Sequence, residues 1–351
     1  MVVFSTMKKL PWVASLLLVL AVWLTACDSQ PEQSVVQLQG KTMGTTWHVT
    51  VVDQLEQGQA NTLQAGISEV LKTVNNQMST WQDDSELSQF NAYQKTDWFA
   101  ASPELVKVVT AAREVSMLSR GAYDITIGPL VNVWGFGAGE SDERSKPPGA
   151  AVKAALDRVG YEKLEVKQRP TALRKTQADL YVDVSSIAKG FGVDQVALYL
   201  EEQGLNNYMA EIGGEVRTHG NSPRGDAWRI AIEKPVDIGR SVQQGVRLQQ
   251  AGLATSGDYR NFFSEDGQRY SHTIDPNTGY PVRHSLASVS VVAETAMLAD
   301  AYATMLLALG DEKGRQLADE QQLKAYFIMR SDEGFETYAT SAFKPLLLEQ
   351  P

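Results

Sequence analysis

Residues 295–309, TAMLADAYATMLLAL, are apolar almost all the way round a helical circumference. A helix without a polar face is a buried helix, so other layers of the chain must enclose it. The candidates for those layers are irregularly ordered. Thr45–Val52 reads as a strand from its β-branched residues. Residues 60–78 read as an amphipathic helix, with Leu63, Ile67, Val70, Leu71, Val74 and Met78 spaced by three and four. Ser102-Pro103 opens another helix as N-cap and first-turn proline, striped by Leu105, Val108, Val109, Ala112, Val115 and Leu118.

Residues 138–150 form a polar loop, and strand-like runs follow at 161–167 and 180–184. A helix is expected from about Ile187 to Gln203, then strand and turn from Tyr208 to Val292, a second short helix near 311–321, and strands at 324–330 and 335–341. Strands and helices do not alternate regularly, which predicts α+β with mixed strands and helices rather than a doubly wound α/β fold. The chain has 351 residues, of which 43% are hydrophobic, and no linker divides its main part. That suits a single large domain.

Composition narrows the function classes. The formal net charge is −10, which argues against a general nucleic-acid binder. A single cysteine excludes an internal disulfide framework, a Cys-rich zinc site and an iron–sulfur cluster. His48, His219, His272 and His284 show no HExxH-type spacing.

The first 27 residues stand apart from the fold. Lys8 and Lys9 precede an apolar run from Leu10 to about Leu24, short for a membrane span and suited to a signal sequence. It ends in Leu24-Thr25-Ala26-Cys27, which resembles the lipobox of bacterial lipoproteins. The expected organisation is a signal peptide over 1–26, a lipidated Cys27 with a flexible polar tether to residue 38, and one domain over 39–351. Asp28 resembles an inner-membrane retention signal. The expected location is therefore the bacterial inner membrane, with a lipid anchor and the domain facing the periplasm.

Several segments carry candidate chemistry. Gly40-Lys41-Thr42 looks like the end of a phosphate-binding Walker A loop, but Val35 stands where that motif needs its first glycine. Within the apolar helix, Asp300 and Thr304 lie at i and i+4 on one face. A buried carboxylate needs a partner or a cation, and an all-oxygen neighbourhood suits a hard ion such as Mg²⁺. An Asp bonded to distant backbone or to an arginine, with Thr304 bonding back to its own helix, satisfies the same pattern. In Tyr181–Gly192, Ser185 or Ser186 is placed to cap a helix whose start would attract phosphate, with Lys189 in its first turn. Trp134 and Phe136 are either ligand walls or core. His272 is set between the polar loops of 270–281.

Taken in order, KTMGTTW (41–47), STW (79–81), GAYDITIGPLVNVWGFG (121–137), YVDVSSIAKGFGVD (181–194), AEIGGE (210–215), ATSGDYRNF (254–262), SHTIDPNTGYPV (271–282) and ADAYATMLLALG (299–310) resemble the ApbE family, flavin transferases that move FMN from FAD onto a protein. The resemblance implies an ApbE-like, T-fold-like domain. It implies FAD contacts at Met43 and Trp81 on the flavin end, at Ala122, Tyr123 and Asp124, and at Asp183, Lys189 and Ile274. It implies a Mg²⁺ site made of the Ser186 carbonyl and the Asp300 and Thr304 side chains. Family members often have Gly or Ala where Ser186 stands, which a main-chain ligand tolerates. The implied reaction joins FMN to a Thr or Ser hydroxyl of an acceptor protein and releases AMP. His272 is the candidate general base, with Asp258 and Asp275 as rivals. The implied acceptors are extracytoplasmic subunits of redox complexes such as the sodium-pumping quinone reductase or the Rnf complex. A FAD pyrophosphatase giving FMN and AMP, a flavin-binding lipoprotein and a structural lipoprotein are the alternatives. Mn²⁺ accepts similar ligands.

Overall fold

A computed structural model describes residues 34–137, 144–236, 239, 241–259 and 261–349. The expected signal peptide (1–26) and Cys27 lie outside the described residues. No helix among the described residues is long and apolar enough to cross a membrane.

The frame is an eight-stranded antiparallel sheet: β1 (Val36–Thr42), β2 (Thr45–Val51), β3 (Tyr208–Ile212), β4 (Glu215–His219), β5 (Gly252–Gly257), β6 (Leu286–Ala293), β7 (Lys324–Ser331) and β8 (Gly334–Ala339). Their order across the sheet is their order along the chain. The sheet therefore begins at Val36, inside the stretch read as tether. Val36 pairs with Val51 and the buried Leu38 with Val49, so the last residues of that stretch have apolar partners that hold them in the sheet.

Three helices cover one face, α1 (Gln59–Met78), α3 (Ser185–Glu202) and α4 (Ala296–Glu320), and a fourth, α2 (Pro103–Leu118), packs on α3 and α4. Ser102 caps α2, its hydroxyl accepting the Leu105 N–H at 3.3 Å. Near β1–β3 the core is α1 and α3 on the sheet, with Leu63, Ile67 and Leu71 against Trp47, Val49, Val193 and Val196. Further along, Met297, Ala301 and Met305 of α4 meet Ile187 and Phe191 of α3 and Val289, Val291 and Phe327 of the sheet. The opposite face carries a hairpin, Trp228–Glu233 with Val242–Leu248, packed on Val216, Leu253, Val292 and Ile328. Covered on both faces, β6 buries seven consecutive residues.

The apolar helix is thus enclosed, as its sequence requires. It is not straight: Gly310 sits at φ 79°, ψ −175°, and breaks α4 between a buried first part and an amphipathic second part. The pair of helices expected over 295–309 and 311–321 meets at this kink. The expected strand at 180–184 is absent. That segment is extended, but no strand pairs with it: Asn91 donates to the Val182 carbonyl and accepts its N–H, both at 2.8 Å, and a single backbone bond joins the Asp183 N–H to the Ile125 carbonyl. The buried Lys175 ammonium braces the same clasp, donating to the Asn91 and Leu180 carbonyls. The strand-like run at 161–167 begins as a 3₁₀ turn at Tyr161–Lys163 and becomes a strand only at Leu164–Gln168, paired with Thr171–Lys175.

Candidate functional site

The site is built where α3 crosses the start of α4. At Gly190 a side chain has no room: a Cβ there would overlap the Ala296 carbonyl and lie 2.8 Å from the Met297 Cα. Asp194, one turn on, accepts the N–H groups of Ala296 and Met297 at 2.9 Å each, and Thr295 accepts that of Leu298. An anion at a helix N-terminus is worth about 1 kcal/mol. Together they fix the register of α4 against α3 and deliver Asp300 to Gly190, whose N–H donates to Asp300 Oδ2 at 3.0 Å.

In an α-helix the N–H of residue 190 serves the carbonyl of residue 186. Asp300 competes for that donor, so the Ser186 carbonyl keeps acceptor capacity next to a buried carboxylate. Thr304 lies one turn along, its hydroxyl 3.2 Å from Ser256 Oγ. The structure brings Ser186, Asp300 and Thr304 to one cleft wall. The α3 start is capped by neither serine. Val184 is the N-cap and both serines lie within the first turn, because Asp183 accepts the Ser185 N–H at 2.8 Å and takes over the capping. The Ser186 hydroxyl instead donates to Tyr123 Oη at 2.9 Å.

Charge is concentrated here. Lys189 Nζ is 2.6 Å from Glu215 Oε1 and 4.0 Å from Asp300 Oδ1. Burial alone would push the ammonium down, but Asp300 and Glu215 together raise its pKa above the ordinary lysine value. Burial raises Asp300 above the usual carboxylate range, against the pull of Lys189 and the Gly190 N–H. Burial also pushes Glu215 up to about 7, with Lys189 opposing. Glu215 is 3% exposed and its Oε2 has no hydrogen-bond partner. The sequence does not single it out: within AEIGGE it reads as the residue after a glycine turn, and only Lys189, distant in the chain, reveals its place.

Two clefts share this wall. One, about 480 Å³, is lined by Ala122, Tyr123, Asp124, Asp183, Ser186, Lys189, His272, Ile274, Asp300 and Thr304 among others. It also takes in Thr255, Ser256 and Gly257, because β5 pairs with β4 only at Gly252 and Leu253 and then leaves that neighbour. The other, about 460 Å³, is lined by Met43, Val74, Met78 and Trp81. Trp81, Asp183 and Lys189 border both. Every residue expected at a cofactor, metal or catalytic position therefore lies on one of these two connected clefts. Trp134 is core, fully buried, with its indole N–H on the Gly279 carbonyl at 2.9 Å; Phe136 is wall. Asp124 is fixed by its own loop, accepting from the Thr126 and Tyr161 N–H groups, and burial raises its pKa.

His272 Nδ1 lies 3.0 Å from the Asn261 carbonyl. A carbonyl only accepts, so Nδ1 carries the proton and Nε2 keeps the lone pair in the neutral ring. Burial pushes its pKa below the ordinary histidine value. The rivals are otherwise engaged. Asp258 pairs with Arg330, and Asp275 accepts from Asn277 and Thr278 in its own turn.

No cluster of three or more His, Cys, Asp or Glu suited to a metal occurs among the described residues. The oxygen set of Asp300, Thr304 and the Ser186 carbonyl is of another kind. One buried carboxylate with a hydroxyl and a carbonyl fits a hard divalent cation that keeps waters or takes substrate oxygens.

Comparison with known proteins agrees over most of the described length. The sequence model of the ApbE family matches residues 43–327. A Vibrio cholerae protein named FAD:protein FMN transferase is 45% identical over 334 residues, covering 95% of this chain and 97% of the relative. One of the same name from Haemophilus influenzae is 43% identical, covering 97% and 99%. The solved structure of the flavin transferase ApbE from Vibrio cholerae superposes with a TM-score of 0.83 at 44% identity, covering 90% of this chain and 99% of that one. The apo form of the Pseudomonas stutzeri flavinyl transferase ApbE gives 0.80 at 36% identity, covering 89% and 96%.

Proposed function

The chain belongs to the ApbE family, and from that premise we propose that it transfers FMN from FAD to a Thr or Ser hydroxyl of an acceptor protein and releases AMP. The observation that carries the reading is the shared edge of the two clefts, where an apolar, aromatic-lipped pocket meets an oxygen-rich wall. FAD has the matching halves, a flat isoalloxazine and a pyrophosphate. Met43 and Trp81 pack on the ring, as aromatic stacking favours. Ala122, Tyr123, Asp124, Asp183, Lys189 and Ile274 hold the remainder, with the Lys189 ammonium against phosphate charge.

Asp300, Thr304 and the Ser186 carbonyl would hold Mg²⁺. When bound, the ion supplies neutralisation of pyrophosphate charge. The chain's own residues supply position and a base, which is most of what phosphoryl-type transfer needs. The acceptor oxygen attacks the FMN-side phosphorus, the bond to the AMP oxygen breaks, and the hydroxyl proton passes to His272 Nε2. The tautomer set by Asn261 leaves that nitrogen available, and its lowered pKa keeps it unprotonated at neutral pH. We place the domain at the periplasmic face of the inner membrane, anchored through lipid on Cys27. Its acceptors there are subunits of redox complexes of the sodium-pumping quinone reductase or Rnf kind.

The test uses the chain from Asp28 to Pro351 with FAD, Mg²⁺ and the soluble domain of a sodium-pumping quinone reductase subunit that bears the acceptor threonine. A fluorescent acceptor band on a denaturing gel, lost with chelator and matched by AMP, is expected. AMP without a labelled acceptor would replace transfer by FAD hydrolysis. FAD retained with neither product would leave a flavin-binding protein.

A further inference from the structure

A third cavity, about 690 Å³, opens beside the oxygen-rich cleft and shares Ala122 and Ala308 with it. The turn at 274–277 separates the two, with Ile274 and Pro276 on the cleft side and Asp275 and Asn277 on the other. None of the residues expected at the FAD or metal positions except Ala122 borders it.

Its charge is opposite to that of the protein. The chain carries a net −10, yet this cavity is lined by Arg120, Arg283 and Lys313. None of the three makes an ion pair among the described residues; Arg283 reaches only the neutral side chain of Gln268. The one acid on its wall among the described residues, Asp275, has both oxygens engaged by Asn277 and Thr278. Arg120 also sits in the left-handed region at φ 52°, at the end of α2, where glycine is the unstrained choice.

The three cations are exposed rather than buried around one point, which suits a protein rim more than a phosphate pocket. Tyr280, on the same wall and 39% exposed, is an aromatic of the sort that anchors protein contacts. We propose that this groove docks an acidic segment of the acceptor protein and so steers the acceptor hydroxyl into the adjoining cleft. The inference rests on the proposed FMN transfer for the identity of the partner.

The test is the triple charge reversal Arg120→Glu, Arg283→Glu, Lys313→Glu, all at exposed positions outside the catalytic cleft. The probe is the same threonine-bearing reductase domain, labelled with a dye. Binding is read by fluorescence anisotropy at low and at physiological salt, separately from turnover. The expected result is affinity about tenfold weaker or more in the variant at low salt, and a wild-type affinity that falls with salt while the variant's does not. In turnover, the KM for acceptor rises by a similar factor, with kcat and the KM for FAD unchanged. Equal binding by the two proteins overturns the proposal. So does a rise in the KM for FAD alone, which would assign the groove to the nucleotide. A wild type that binds the domain through these charges but labels nothing would refute the transfer reading while upholding the groove.

Discussion

The two clefts that meet at Trp81, Asp183 and Lys189 are built by different means. The apolar one is a gap between α1 and the β1–β2 turn, lined by side chains such as Val74 and Met78 that also belong to the core. The oxygen-rich one depends on a helix crossing, with Gly190 stripped of a side chain, Asp194 pinning the next helix, and Asp300 set on a backbone N–H. One should tolerate substitution, because apolar contact is adaptable. The other should not, because a buried carboxylate in the wrong place is left unpaired.

The largest expected effect breaks the second cleft. Asp300→Ala should lower Mg²⁺-dependent transfer by about 10²–10³-fold, as loss of a preorganised charged group does, while FAD-ring fluorescence quenching survives. Steady-state rates and a quenching titration separate the two. Next is His272→Ala, expected to cost about a hundredfold in kcat. A base works in its neutral form, and burial lowers this one's pKa. The wild-type rate should therefore hold as pH falls through the ordinary histidine range and drop only below it, and the variant should lose that limb. A pH–rate profile for both proteins checks the sign.

Gly190→Ala probes the crossing itself. The added methyl meets the Ala296 carbonyl and the Met297 Cα, and overpacking of this kind costs about 1–3 kcal/mol. Denaturant melts should show that loss, with activity falling further as Asp300 is pushed off the Gly190 N–H. The smallest effect belongs to the apolar cleft. Trp81 is 74% exposed, so Trp81→Ala should leave stability unchanged and weaken FAD by at most about tenfold, the worth of one aromatic contact.

The same contrast explains what could be read from the chain. The elements with strong periodicity, α1, α2 and the buried part of α4, are where the spacing of apolar residues places them, and the Ser102-Pro103 cap is local chemistry. Asp300 and Thr304 share a face by helical geometry alone. What is not legible depends on which partner each group finds, near or far along the chain. The segment at 180–184 has strand composition, but both backbone groups of Val182 bond the side chain of Asn91 and only the Asp183 N–H reaches another backbone, at Ile125, so no ladder forms. Ser185 and Ser186 are good capping residues displaced by Asp183, whose carboxylate reaches the Ser185 N–H first. Glu215 looks like an ordinary strand residue until Lys189 is beside it. The clustering of ordered motifs into one site followed from the family resemblance, since no single motif carries enough chemistry to assemble it.

The central claim is that one FAD spans both clefts, with its ring at Met43 and Trp81 and its pyrophosphate at the Asp300 wall. The most direct measurement is a crystal structure of the FAD complex grown with Mn²⁺ in place of Mg²⁺, with anomalous data collected for the metal. The account predicts a single strong anomalous peak ligated by Asp300, Thr304 and the Ser186 carbonyl, next to the pyrophosphate, with the isoalloxazine against Trp81. A metal bound away from Asp300, or a flavin ring outside the Met43–Trp81 cleft, would contradict it.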